Sequence, residues 1–61
     1  MTMDQFRSAV AYALVAIECA PVSGWEEERE VADCAANGYT AYETACWLEM
    51  FRACVEVEEN V

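Results

Sequence analysis

The side chains able to do chemistry in this sequence are almost all acids and thiols. Twelve Asp and Glu stand against three Arg, with no Lys and no His, giving 61 residues a formal charge of −9. Four cysteines, Cys19, Cys34, Cys46 and Cys54, complete the set. The densest acidic group is Glu26, Glu27, Glu28, Glu30 and Asp33. On a helix, Glu26 and Glu30 lie one turn apart with Asp33 on the same face. Those charges span about 10 Å at a rise of about 1.5 Å per residue. A DNA strand places a phosphate about every 3.4 Å of axis, so the stripe is sparser than a duplex. Mimicry of nucleic acid would need carboxylates from other helices as well. Such a face repels phosphate backbones and anionic lipid and speeds encounter with basic protein surfaces. Three scattered Arg cannot displace the counterions of a nucleic acid, which excludes direct binding to one.

Catalysis and metal binding have little to draw on. Without His and Lys the commonest general bases are missing, and a chain this short has little room for a water-excluding pocket. The cysteine gaps are 15, 12 and 8 residues, with no C-x-x-C. Zinc sites use closer ligand pairs, often with His, and nothing nearby would lower a thiol pKa for redox work. No D-x-D-x-D-G calcium loop is present. The expectation is no catalytic residue, no metal and no cofactor, with the thiols packed as small hydrophobes. A disulfide framework would need an oxidising compartment. The apolar run from Ala9 to Ile17 does not read as an export signal, because Asp4 and Arg7 before it cancel and Glu18 follows where a small residue is wanted. It is also too short to span a bilayer. A reduced, cytoplasmic chain with no membrane contact is expected.

The acids and thiols need elements to hold them, and three start signals supply these. Thr2 is followed three residues later by Gln5, Ser23 by Glu26, and Thr40 by Glu43. Each pattern is a capping box, in which the hydroxyl takes one orphan backbone N–H and the longer side chain reaches back to the cap. The spacing predicts helices over about 3–19, 24–37 and 41–55. Pro21 stops the first, and Gly38 ends the second in a left-handed turn with Tyr39 packing back. Phe6, Val10, Ala13, Leu14 and Ile17 form one stripe at helical spacing. Trp25, Val31, Ala32, Ala35 and Ala36 share an arc of the second helix. Ala45, Leu48, Phe51 and Val55 line the third, with Tyr42, Cys46, Met50 and Cys54 beside them. Glu49, Arg52 and Glu56 mark a wet face. After Val55 the chain is expected to fray or to be held by something cationic, because Glu56, Glu58 and Glu59 lie where the helix dipole prefers cations; the alternation of Val55, Glu56 and Val57 offers a short extended tail instead.

Residues 1–61 therefore read as one all-α domain, a small three-helix bundle. Its hydrophobic fraction of 57% argues against acidic disorder. Surplus apolar surface on the first and third helices points to a dimer or a hydrophobic partner contact.

The segment Ala35 to Leu48 resembles part of a helix-turn-helix, with Gly38 in the turn and the small Ala45 seven positions later. Thr44 replaces the usual branched aliphatic, and no basic residue lies where phosphate or base contacts would form. The segment reads as two helices sharing turn chemistry. In composition the chain resembles the small acidic proteins that phages and mobile elements use to block host nucleic-acid machinery, anti-CRISPR inhibitors among them. That resemblance implies a non-enzymatic inhibitor that covers a Lys/Arg-rich surface of a nucleic-acid-binding protein. The face assigned to it is Glu26, Glu27, Glu30 and Asp33, joined by Glu56, Glu58 and Glu59, with Trp25 as anchor. The competing reading is a homodimeric structural or regulatory adaptor, or an antitoxin-like protein, whose apolar faces do the work.

Overall fold

The computed structural model describes the backbone of residues 1–59 and the side chains of residues 1–55. It holds three helices: α1 (Met3–Ala16), α2 (Gly24–Ala36) and α3 (Ala41–Glu59). They pack as a small all-α three-helix bundle measuring 39 × 23 × 17 Å, and no strand occurs among the described residues.

Two of the three capping boxes form as read. Gln5 N–H donates to Thr2 Oγ1 at 3.1 Å, and Thr2 N–H donates to Gln5 Oε1 at 2.9 Å. Thr40 and Glu43 repeat the exchange at 3.1 and 2.9 Å. The box at Ser23 does not form. The Ser23 hydroxyl caps nothing, and its backbone N–H donates to Glu27 at 3.0 Å rather than to Glu26. The cause is Gly24, which enters the helix at φ +79°. A capping box needs helical dihedrals at the first helical residue, and a left-handed glycine there turns the first turn so that the next carboxylate reaches back.

α1 ends at Ala16, three residues before the expected Cys19. Glu18 adopts φ +58°. Its N–H bonds to Val15 O at 3.0 Å, and Cys19 N–H bonds to Leu14 O at 2.9 Å. This is the paired-bond helix ending usually built on glycine. An extended helix would have carried Cys19 onto the solvent face beside Tyr12. The early turn instead folds Ile17, Cys19 and Val22 back against the core. α2 ends in the same way at Gly38 (φ +78°), as read from the sequence, with Tyr39 N–H on Cys34 O at 3.0 Å.

A left-handed Glu costs about 1 kcal/mol, and its charge sits at the negative end of α1. Glu18→Gly is therefore expected to stabilise the fold by about 1 kcal/mol, raising the thermal midpoint by about 4–8 °C. Thermal circular dichroism measures it, and an unchanged or lower midpoint would contradict the strain assigned to this turn.

The core is small. Phe6, Val10 and Leu14 of α1 meet Val31 of α2 and Ala45 and Leu48 of α3, with buried Cys34 and Thr44. The buried Thr44 hydroxyl donates to Thr40 O at 2.9 Å, so it stays satisfied. The stripe expected on α1 faces inward as read, and so does the α3 row through Ala45, Leu48, Phe51 and Val55; the neighbouring α3 row does not, because Tyr42, Met50 and Cys54 are exposed and only Cys46 is half-buried. The arc expected on α2 faces inward only in part: Val31 is buried and Ala35 packs against the core, but Trp25, Ala32 and Ala36 are exposed, and Cys34 takes the inner position beside Val31. α2 thus turns the row through Glu27, Val31 and Cys34 inward, and in that orientation Glu28 pairs with Arg7 on α1 and Glu27 with Arg52 on α3. Burial pushes the Cys34 thiol pKa up, despite a lowering contact from Thr44. That suits a packing role rather than a nucleophile.

α3 continues as helix to Glu59, in place of an extended tail after Val55. No Gly or Pro follows Gly38 in the sequence, so nothing in the covalent chemistry interrupts the helix there. The expected apolar surplus is present, since Tyr12 and Val15 of α1 and Tyr42 and Met50 of α3 are exposed. No helix among the described residues is long and apolar enough to cross a membrane.

Candidate partner interface

α2 and α3 run side by side so that the first turns of α2 lie against the second half of α3. Arg52 makes the join. Its Nε and one terminal nitrogen donate to the two oxygens of Glu27, each at 2.8 Å. The same guanidinium donates to Ala20 O at 2.9 Å and to Pro21 O at 3.0 Å. One side chain thus ties α3 to α2 and to the loop leading into it. Spacing along α3 puts Arg52 on a wet face, but its side chain is only 25% exposed and that of Glu27 only 14%. A guanidinium can satisfy a carboxylate and two carbonyls at once because its donors form a rigid planar fork. The hydrogen bonds from Arg52, together with the Ser23 N–H, hold the Glu27 carboxyl below the usual carboxylate range against a raising effect of burial.

The expected acidic face is therefore divided. Glu27 is occupied within the fold. Glu30 accepts a hydrogen bond from Trp47 Nε1 at 2.8 Å, which steers its carboxylate toward α3. Glu26 and Asp33 are exposed, and among the described residues their carboxylates form no ion pair. Arg7 is paired with Glu28. Glu56, Glu58 and Glu59 have side chains outside the described residues.

Trp25, Glu26, Glu30 and Asp33 surround one shallow hollow on the α2–α3 seam, joined there by Arg29 and Phe51. A second hollow adjoins it and shares Trp25, Glu26 and Phe51, with Val55 and the Arg52 side chain completing its wall. Trp25 is 71% exposed at the rim of both. A tryptophan so placed contributes little to the core, while an indole beside free carboxylates is well suited to an interface anchor.

Sequence reasoning misses Phe51 and Arg29 as members of this surface. Arg29 carries a signal: it lies four residues from both Trp25 and Asp33, which puts all three along one helical row. Phe51 carries none, because its spacing matches the α3 core stripe equally well. Among the described residues, no cluster of three or more Cys, Asp or Glu side chains is arranged to hold a metal ion.

Comparison of the chain with protein-family models, with curated protein sequences and with solved structures finds no match.

Proposed function

We propose that this chain is a non-enzymatic, acidic interaction protein that occupies a Lys/Arg-rich, nucleic-acid-binding surface of another protein and so inhibits it. The observation that carries the reading is the α2–α3 seam, where exposed Trp25 shares one hollow with exposed Glu26 and Asp33. Two of the three arginines are tied into ion pairs of the fold, and the third, Arg29, lies on the face itself, where Glu26, Glu30 and Asp33 outnumber it. Net charge of −9 supplies long-range attraction to a basic partner, and the aromatic anchor supplies short-range contact. The compositional resemblance to phage-encoded inhibitors, anti-CRISPR proteins among them, fits this role, as does action in the cytoplasm.

The test is affinity capture from cells of the encoding host or its target, at low and at high salt, with and without added nucleic acid. The expected result is a nucleic-acid-binding protein that is released by salt and displaced by its own DNA or RNA. Capture that ignores both salt and nucleic acid would refute the reading.

A second reading, a homodimeric adaptor or antitoxin-like protein, is favoured by exposed Tyr12, Val15, Tyr42 and Met50. The solution mass at dilute concentration decides it: a dimer that dissociates and unfolds together on Val15→Glu or Met50→Glu would replace the first reading.

A further inference from the structure

We infer that the α2–α3 seam receives an arginine-bearing amphipathic segment of a partner protein, with one guanidinium stacked on Trp25. The inference rests on the reading that this face meets a basic protein, and it specifies what that protein presents. Three features of the seam carry it.

The first is the indole itself. With Trp25 71% exposed, its ring is open to a ligand. The second is what stands around it. Glu26, Glu30 and Asp33 border the same hollow and outnumber the one cation among them, Arg29, so a second cation entering there meets a π face and a net excess of carboxylates. The third is the adjoining hollow, where Phe51 and Val55 offer apolar wall within one side chain of the acidic one. A segment with a cation and an apolar residue side by side fills both.

The pairing of ring and carboxylate selects arginine over lysine. A guanidinium is planar, stacks on aromatic faces, forks to carboxylates and is weakly hydrated. An ammonium is a compact, strongly hydrated point charge that gains less from each of these contacts. Charge decides against a second copy of this chain as occupant, because that copy would bring its own formal charge of −9 to an already acidic face.

The experiment uses the full chain and two synthetic amphipathic helical peptides, identical except that every cation is Arg in one and Lys in the other. Calorimetry on the wild type is expected to give at least about fivefold tighter binding of the arginine peptide. Trp25→Ala is expected to bring that ratio close to one while the helical circular dichroism signal is kept, because the ring lies outside the core. Trp25→Phe is expected to restore part of the preference. Equal affinity for the two peptides, or a preference that survives Trp25→Ala, overturns the inference. If both peptides bind equally and salt weakens both, the arginine site fails but the basic-partner reading stands. If neither binds, both fail.

Discussion

Arg52→Ala is expected to destabilise the fold by about 2 kcal/mol, lowering the thermal midpoint by on the order of 10 °C. The residue makes two charge-assisted bonds to Glu27 and one each to Ala20 and Pro21 carbonyls. Removing it leaves a poorly exposed carboxylate without its cation and releases the loop into α2. A domain of this length holds about 3–9 kcal/mol in total, so the loss is a large share. Arg52→Lys is expected to recover less than half, because one ammonium cannot fork a carboxylate and reach both carbonyls.

The same pair sets a pH dependence. Glu27 has a folded pKa lowered from its ordinary value of about 4.5. Its contribution is therefore complete above that value and is lost as pH falls through the lowered one. The stability gap between the wild type and Glu27→Gln should be constant near neutrality and close progressively below about pH 4.5. Denaturant unfolding of both proteins across that range measures it. An Arg52→Ala variant that melts within about 2 °C of the wild type would show that the four bonds contribute nothing net.

Glu26→Lys combined with Asp33→Lys is expected to weaken binding to a basic partner by at least about thirtyfold and to leave the helical signal unchanged. Both carboxylates are exposed and free of ion pairs among the described residues, so the fold does not depend on them. Glu30 is the wrong choice for this test, because its bond to Trp47 mixes folding with binding. The salt dependence of the remaining affinity should flatten, since the variant turns two attractive charges into repulsive ones. Full binding by the folded double variant would remove this face from the interface.

The bundle is legible because its signals are local. Thr2 with Gln5, Thr40 with Glu43, and Gly38 before Tyr39 each act over three or four residues, and the structure repeats all of them. The elements that depart from expectation involve a choice between local options. Ser23 loses its box to a left-handed Gly24, and α1 stops early through a left-handed Glu18. Glu rarely adopts that conformation alone, so no local rule flags it. It persists here because the turn it makes buries Ile17, Cys19 and Val22.

The candidate face is half legible. The types and helical spacing of Trp25, Glu26, Glu30 and Asp33 are enough to put them on one side of α2. Which acids of α2 are free cannot be read that way, because it depends on distant residues: Arg52 takes Glu27 and Trp47 takes Glu30, 25 and 17 positions away. Trp25 fits both the core arc and the interface by its spacing, and only the rotation of α2 decides for exposure.

Sequence alone determined the all-α class, the helix starts at Thr2 and Thr40, the inward rows of α1 and α3, and the excess of negative charge. Those properties follow from periodicity, capping and composition, which are carried by neighbouring residues. Tertiary structure alone decided which acids are free, which face of α2 is wet, and that Arg52 binds the α2–α3 seam together. The reason is that an ion pair or a buried side chain is an agreement between segments far apart in the chain, and its partner exists only once both have been brought into place.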